Sequence, residues 1–520
     1  MKQERKMSVL MAAVLCTVGT AGIAKTAMAE EKPVKLTVEV YDRGNMPESY
    51  GDPIDNKWSR MVHDIVLEEL NIDIEFMAIP RSEDTTKVQA LMAAGNEPDI
   101  FYIYDTNTFL SWAGADALAD LTDLMDTDGA QLKELQGEEL LSYGIVDGKQ
   151  YAIPARRNDI SMMSSFIRKD WLDEVGIEVE IRNGHASMTP SELKNALIKI
   201  KEAGLCEYPM GLLDKFTSIQ PIEGAFISEE VSTTDEGKAT VINDFFLTAD
   251  GDKEAFRFLN ECYNSGLINP DFALFSSDDM GEKIAAGQCG FWSGTYWDYL
   301  GKDSNLAALY DADSDAQVIA IEICKEDGSP AAYETYMPSA AYCMVSSGCE
   351  DVGAALRFIT WLAGDEAHLL ICHGVEGEHW EYGEDGVIEE IDPEYNNNDR
   401  ISVADLDVMI NNDPCIRGEN GDAVFRKSQE RSRDSRNVDL AIEAKAIGES
   451  KGKWAPLYID KQLTAISDYA AELKENGDNL IINSITAPEG EFDTVYDEYL
   501  QTYLEEGGQQ AVDERLEALR

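Results

Sequence analysis

The sequence is short of histidine and of basic residues, and both shortages limit the sites it can form. Its five histidines and nine cysteines include no C-x-x-C pair and no H-E-x-x-H motif, so no zinc site is indicated. Lys and Arg number 43 against 99 Asp and Glu, for a formal net charge of −56. A surface of that sign repels nucleic acid and anionic lipid, which excludes both as default partners.

Long apolar runs are absent except at the N-terminus, where residues 1–29 are predicted to be a signal peptide. Basic residues precede an apolar run at 7–24, and the Ala-Met-Ala sequence at 27–29 suits a signal peptidase. Cys16 is a weak lipidation site, because Leu15 stands where Gly, Ala or Ser is preferred. The sequence therefore predicts an exported protein and leaves open whether it carries a lipid anchor.

Strand and helix patterns alternate in the first part of the chain after residue 29. Strands are predicted at 34–41, 72–78 and 100–104, with helices at 57–70 and around 88–95. Such alternation predicts a parallel sheet in an α/β fold, with ligand groups beyond the carboxyl ends of the strands. The candidate ligand contacts at those ends are Tyr41, Arg43, Tyr104 and Asp105.

Aromatic rings crowd the stretch from Phe291 to Tyr299, which lies between glycine-containing turns. Such rings suit the apolar faces of sugars, whose hydroxyls need hydrogen-bond partners nearby. A core strand leading into a helix explains the same stretch, because aromatic clusters usually pack in cores. Alternation along a strand puts Phe291 and Trp292 on opposite faces, and Trp297 is predicted in the helix that follows.

Motifs spread over nearly all of the chain after residue 29 resemble those of one family. They are A-L-M-A-A-G-N-E-P-D at 90–99, D-G-K-Q-Y-A-I-P at 147–154, I-R-K-D-W-L-D-E-V-G at 167–176, T-P-S-E-L at 189–193, Y-N-S-G-L-I-N-P-D at 263–271, G-V-E-G-E-H-W at 374–380 and the tail around 492–506. In this order they resemble the extracellular solute-binding proteins of family 1, which serve ABC importers. The likeness is strongest to the large lipoprotein-type subgroup, which binds sugars.

The resemblance implies a fold and a function. The fold would be the periplasmic-binding-protein type II fold: two α/β lobes, a hinge that the chain crosses more than once, and a ligand cleft between the lobes. One lobe would comprise 30–154 with 331–374, and the other 155–330 with 375–520. The ligand would be a carbohydrate, in particular an oligosaccharide, and the partner an ABC-transporter permease. A monomer without a cofactor is expected.

The resemblance also implies ligand contacts at residues that follow the first hinge crossing. By position, Trp292 would stack on the sugar from the second lobe. Arg156 and Arg157 follow the first crossing, where the family commonly has a polar ligand contact. Trp297 and Trp380 complete the predicted contacts.

Other interpretations stay open. Arg156 and Arg157 together suit an anionic ligand, such as a uronate-bearing oligosaccharide or a peptide, because guanidinium groups bind carboxylates bidentately. A secreted glycoside hydrolase needs two carboxyl groups at a suitable separation, and an acidic chain has many such pairs by chance. Residues 311–322 form a partial calcium-loop pattern, but Ala316 stands where the turn prefers glycine, so no metal site is predicted.

Overall fold

The structure is a computed structural model that describes residues 32–44, 46, 51–161, 163–213, 218–241, 247–391 and 404–520. The predicted signal peptide and Cys16 lie outside these residues. Within the described ranges, no helix has both the length and the apolar character needed to cross a membrane.

Strands and helices alternate over most of the described chain. The strands are β1 (Val34–Asp42), β2 (Ile72–Pro80), β3 (Ile100–Ile103), β4 (Ile145–Val146), β5 (Lys149–Gln150), β6 (Ala152–Arg156), β7 (Ser164–Arg168), β8 (Glu180–Arg182), β9 (His185–Met188), β10 (Phe291–Gly294), β11 (Val318–Ile323), β12 (Ser339–Val345), β13 (Trp380–Tyr382) and β14 (Ile388–Glu390). The helices are α1 (Lys57–Leu70), α2 (Asp84–Ala94), α3 (Thr106–Gly114), α4 (Leu132–Leu135), α5 (Glu138–Ser142), α6 (Lys169–Glu174), α7 (Pro190–Glu202), α8 (Gln220–Glu223), α9 (Glu230–Thr233), α10 (Asp235–Ala239), α11 (Asp252–Asn264), α12 (Ser277–Ala285), α13 (Asn305–Ala312), α14 (Val352–Ala363), α15 (Asp365–His373), α16 (Ala404–Ile410), α17 (Pro414–Arg417), α18 (Gly421–Ser432), α19 (Val438–Gly448), α20 (Thr464–Asp468), α21 (Ala470–Thr486), α22 (Phe492–Tyr503) and α23 (Gln509–Leu519).

The first large sheet has the strand order β2-β1-β3-β12-β6. β1 runs parallel to β2 and β3, whereas β12 is antiparallel to β3 and β6. The predicted strand–helix alternation and parallel pairing are therefore confirmed. Local signals explain the boundaries: Asn56 caps α1 by accepting from two backbone N–H groups, and Gly95 ends α2 at a φ of 64°, which favours glycine.

The second large sheet has the order β10-β7-β11-β9-β8 and mixes parallel with antiparallel pairs. Both of its faces are covered. Ile167 and Phe291 pack into one buried cluster, and their strand neighbours Phe166 and Trp292 into another. Because side chains alternate along a strand, membership of two clusters means that helices pack on both sides of this sheet.

Over the described residues, the chain passes between the two sheets three times. It leaves the first sheet at 156–161, at the end of β6, and returns at 324–338, before β12. The third passage lies between α16 and α19. α16 packs in the core of the first sheet through Leu406, Met409 and Ile410. The sequence assigned α16 to the second lobe; the structure instead packs it with the first.

The passages are hydrogen-bonded to one another side by side. Arg157 N donates to Pro338 O at 2.8 Å, which joins the first passage to the second. Asn411 donates its side-chain amide to Arg156 O at 2.7 Å, which joins the third passage to the first. Asn411 has a φ of 50°, a left-handed conformation that asparagine tolerates better than most residues. The three passages together form the hinge.

Candidate functional site

The carboxyl end of the first sheet supplies one side of the candidate site. Tyr104 follows β3 and is half-buried, and the guanidinium carbon of Arg81 lies 5.6 Å from its ring centroid. Arg43 and Asp105 are exposed at the ends of their strands. Asp105 also caps α3, since its Oδ1 accepts from Thr108 N at 2.7 Å. Arg43 and Asp105 therefore lie at the surface and Tyr104 lies partly exposed, and their contacts with ligand stay a prediction.

Tyr41 does not reach this surface. Its side chain is buried, with a relative exposure of 1%, and its ring lies 4.6 Å from that of Tyr102. Its hydroxyl donates to Asp84 Oδ2 at 2.9 Å. Burial and the nearby Glu39 carboxylate raise the pKa of Tyr41. The predicted ligand contact of Tyr41 is therefore corrected to a contact within the core of the first lobe.

The two adjacent arginines of the first passage have different surroundings. Arg156 Nη2 donates to Gln136 O at 2.8 Å, at the end of α4. The guanidinium carbon of Arg157 instead lies 4.4 Å from the centroid of the Tyr336 ring. Burial lowers the pKa of both arginines. Arg156 is thus held by backbone carbonyls of the first lobe, whereas the charged guanidinium of Arg157 lies against the Tyr336 ring.

Aromatic rings continue from Arg157 toward the second sheet. Trp297 stacks on Tyr336 with 6.4 Å between ring centroids and 13° between planes, and Tyr296 meets Trp297 edge-on at 4.8 Å. Trp297 is 38% exposed, whereas the other tryptophans in the described ranges are buried or half-buried. We call Tyr104, Arg157, Tyr336, Trp297 and Tyr296 the cleft row. It runs from the first lobe across the hinge to the second.

A carboxylate, Asp159, adjoins the second-lobe end of the cleft row. Its Oδ1 accepts from Ser161 N at 3.0 Å and lies 3.9 Å from Lys445 Nζ. Burial raises the pKa of Asp159 to about 6, against the opposing effect of the Tyr296 hydroxyl. At neutral pH this carboxylate is therefore mainly ionised and accepts hydrogen bonds. The row thus combines apolar ring faces, a guanidinium donor and a carboxylate acceptor.

A cavity of about 430 Å³ opens between the loop after β3 and the segment 456–461. Its lining includes Tyr104 and Asp105 from the first lobe and Glu334 from the second passage. Tyr104 belongs both to the cavity lining and to the cleft row, so the two adjoin at this residue. The cavity volume lies within the usual range for small-molecule pockets, about 300–1,000 Å³.

Trp292 does not face this cleft. Its side chain is 1% exposed and its ring lies 5.6 Å from that of Phe166, with 20° between planes. Leu306 of α13 and Leu440 of α19 belong to the same buried cluster. Phe291 packs on the opposite face, so the predicted alternation is confirmed. The predicted ligand contact of Trp292 is corrected, because α13 and α19 cover the face that was expected to be open.

Trp380 does not face the cleft either. It is 3% exposed, and its indole Nε1 donates to Gly374 O at 2.9 Å. The ring of Tyr382 meets it edge-on at 5.1 Å. Because its indole N–H is hydrogen-bonded and its ring is buried, Trp380 stabilises the β13–β14 hairpin. The predicted ligand contact of Trp380 is therefore corrected to this structural role.

Trp297 is exposed because it lies in a turn rather than in the helix predicted for it. Thr295 N donates to Asp298 Oδ2 at 2.9 Å, which closes the turn after β10. Tyr299 follows with a φ of 61°, and the next helix, α13, starts only at Asn305. The turn lifts the Trp297 ring away from the core that holds its neighbours.

Tyr336, Asp159 and Arg81 were not predicted from the sequence. Tyr336 and Asp159 lie on passages whose positions depend on the pairing of distant strands. No periodicity or motif marks them, so only the arrangement of the two lobes brings them to the row.

Carboxylates of the acidic pattern at 311–322 form ion pairs with different basic side chains. Asp311 Oδ1 lies 2.9 Å from Arg436 Nη1, and the Glu322 carboxylate pairs with Lys453 in the interior. These carboxylates therefore point toward different partners rather than toward one centre.

Comparison with known proteins identifies the family. Residues 45–368, more than half of the chain, match the sequence family of bacterial extracellular solute-binding proteins. The chain belongs to this family. This solute-binding protein is 23% identical over 481 residues to the polygalacturonan/rhamnogalacturonan-binding protein YtcQ of Bacillus subtilis (strain 168), with 86% of each chain covered.

Solved structures share the fold of this solute-binding protein. One is the HMO-binding ABC-transporter associated solute-binding protein from Bifidobacterium longum infantis, with a TM-score of 0.65, 17% identity, and coverage of 94% of this chain and 98% of that one. Another is the S. pneumoniae ABC-transporter substrate-binding protein FusA in complex with kestose, with a TM-score of 0.61, 14% identity, and coverage of 93% and 98%. The predicted periplasmic-binding-protein fold is confirmed, and the family is extracytoplasmic.

Proposed function

We propose that this solute-binding protein captures an oligosaccharide in the cleft row and its adjoining cavity. The observation that carries the proposal is the exposed Trp297 ring, stacked on Tyr336 and followed by the Arg157 guanidinium. Exposing a tryptophan to water is unfavourable, so a ring kept exposed within a row of aromatic residues marks a binding surface. The names of YtcQ and FusA, which bind carbohydrates, support the same ligand class.

The chemistry of the row matches that of a sugar ring. The C–H faces of a sugar are apolar and pack on Trp297 and Tyr336, while its hydroxyls need donors and acceptors in the plane of the ring. Arg157 donates there and Asp159 accepts. Because these groups come from different lobes and passages, a ligand contacts all of them only when the lobes are close together.

The transport role rests on the family. The protein is proposed to act outside the cytoplasm as a monomer, to close around the sugar by movement at the hinge, and to deliver it to the permease of an ABC importer. No catalytic step is part of this function, because the family and its relatives are binding proteins. No cofactor is required.

Replacing Trp297 by alanine is expected to weaken oligosaccharide binding without unfolding the protein. Loss of a central aromatic contact costs about 1–3 kcal/mol of binding free energy, which is roughly a 5- to 150-fold rise in Kd. The ligand is also expected to change the intrinsic fluorescence of the wild type, and Trp297→Ala to reduce that change. Tyr382→Ala, which removes a ring exposed on the β13–β14 hairpin, is the matched control and should bind as the wild type does. Equal binding by Trp297→Ala and the wild type would contradict the proposal.

An acidic oligosaccharide is a second candidate ligand, and Arg157 is the observation that favours it. A guanidinium beside stacked rings suits a uronate, whose carboxylate it binds bidentately while the ring stacks. YtcQ is named for polygalacturonan, a polymer of acidic sugars. The strongly negative chain would require such a local positive group to offset its repulsion of an anion.

Arg157→Gln is expected to separate the two ligand classes. If the ligand is acidic, loss of the charged hydrogen bonds should raise its Kd by about tenfold or more, since such bonds contribute about 1.5–3 kcal/mol. A neutral ligand should lose much less. Lys199→Gln removes the same charge from an exposed position of α7 and controls for net charge. Calorimetric titration with galacturonate and neutral oligosaccharides measures both, and equal losses for the two ligands would remove the acidic candidate.

A further inference from the structure

Three residues with metal-binding side chains converge away from the cleft. His373 is the last residue of α15, Asp413 is the N-cap of α17, and Cys415 lies in the first turn of that helix. One ligand atom from each of the three lies within 4.8 Å of the others. No other group of at least three such residues with this spacing occurs in the described ranges. We call these residues the 373–415 cluster.

The cluster is partly preassembled. His373 Nε2 lies 2.9 Å from Asp413 Oδ2, and the two side chains are only 10% and 5% exposed. The second carboxylate oxygen, Asp413 Oδ1, accepts from Cys415 N at 2.9 Å. The carboxylate is therefore held between the imidazole and the residue that carries the thiol.

Neighbouring contacts fix the backbone that carries the cluster. Asn412 N donates to His368 Nε2 at 2.9 Å, and its side-chain amide donates to Ala363 O at 2.7 Å. Arg417, the nearest cation on α17, donates to Asp365 Oδ1 at 2.8 Å. Its charge is thereby partly neutralised, which lowers the electrostatic cost of a cation at the cluster. Ligands held by such surrounding bonds need little reorganisation to bind.

The donor set identifies the class of ion. An imidazole nitrogen, a carboxylate oxygen and a thiol sulfur match Zn²⁺ and similar transition metals, which bind Cys at about 2.3 Å and His at about 2.0–2.1 Å. Ca²⁺ and Mg²⁺ prefer oxygen ligands alone. A thiolate and a carboxylate together balance a divalent charge. The alternative is that His373 and Asp413 form only a hydrogen-bonded pair that caps α17, with no role for the thiol.

We propose that His373, Asp413 and Cys415 bind one transition-metal ion, with Zn²⁺ the best match, and that the ion fastens α15 to the start of α17. Three protein ligands leave a fourth position for water. The bound ion would stabilise the third passage of the hinge at the point where it leaves the first lobe. Binding of the metal is independent of the oligosaccharide proposal.

Titration of the full exported chain with Co²⁺ tests the site, because cobalt replaces zinc and its bond to a thiolate gives a charge-transfer absorption that carboxylates do not give. Excess Mg²⁺ occupies surface carboxylates during the titration. One equivalent of Co²⁺ should produce the band in the wild type. Cys415→Ser should abolish the band, and His373→Gln should raise the Kd for Co²⁺ and for Zn²⁺ by at least about tenfold.

A matched control uses His63 of α1, whose two ring nitrogens lie 3.1 Å from Asp64 Oδ1 and 3.0 Å from Asp73 Oδ1. His63→Gln should bind the metal as the wild type does. Zn²⁺ should also raise the melting temperature of the wild type and not that of Cys415→Ser. A band that persists in Cys415→Ser, no band in the wild type, or equal metal affinity in every variant would each overturn the proposal.

Discussion

Replacing Trp292 by alanine is expected to lower the free energy of unfolding by about 3–5 kcal/mol, the usual cost of removing a large aromatic side chain from a core. The indole is 1% exposed and stacks on Phe166, and α13 and α19 cover it. The cavity left by the substitution lies between a strand and two helices, which restricts its collapse. The melting temperature and the urea midpoint measure the loss.

Comparing Trp292→Ala with Trp297→Ala tests whether the loss of stability depends on which tryptophan is removed. The two tryptophans are five residues apart, and only Trp297 is substantially exposed, so Trp297→Ala should change the unfolding free energy by much less. Oligosaccharide binding should show the reverse pattern after correction for the folded fraction. Wild-type stability combined with lost binding in Trp292→Ala would mean that this ring faces the ligand after all.

Replacing Lys453 by methionine is expected to destabilise the protein by about 3–5 kcal/mol, because it leaves a buried carboxylate without its cation. Lys453 pairs with Glu322, and both side chains are 1% exposed. Glu322 Oε1 also accepts from Ala331 N at 3.2 Å, and the Lys453 ammonium lies 4.8 Å from the Tyr333 ring centroid. Burial lowers the pKa of Lys453 despite the carboxylate. Glu322 lies near the end of β11 and Lys453 follows α19, so the pair joins these two segments and its loss should loosen the hinge side of the second lobe.

Two further variants show whether the effect of Lys453→Met comes from the buried ion pair. Lys451→Met removes a charge two positions away at an exposed site and should leave the melting temperature nearly unchanged. The double variant Glu322→Leu with Lys453→Met removes both charges and should recover much of the stability lost in the single variant. If Lys453→Met and Lys451→Met have the same small effect on thermal unfolding, the ion pair does not stabilise the fold.

Local patterns were enough to predict much of the first sheet. Alternating apolar residues in β1 and β2, helical spacing in α1, and the glycine after α2 each depend on neighbours in sequence, and the structure confirms all of them. The T-P-S-E-L motif at 189–193 likewise acts locally, since it forms a capping box at the start of α7. The carboxyl ends of the parallel strands also pointed to Tyr104, whose contact with ligand stays a prediction.

Contacts between distant segments account for what the sequence left unpredicted. Trp292 is buried because α19, more than a hundred residues later, packs on its face of the sheet. Tyr336 reaches Trp297 and Arg157 only through the crossing of the hinge passages. The indole N–H of Trp380 donates to Gly374 O, at the end of α15. Periodicity tells which residues share a face, but not which later segment covers that face.

The most direct test of the central claim is calorimetric titration of the protein with galacturonate and neutral oligosaccharides, repeated with the double variant Trp297→Ala/Tyr336→Ala. A panel that includes several chain lengths covers both candidate ligands. The account predicts saturable one-to-one binding of at least one oligosaccharide by the wild type, lost or weakened at least about tenfold in the folded double variant, as expected when stacking contacts are removed. Binding that is undiminished in the double variant, or no binding across the panel, would contradict it.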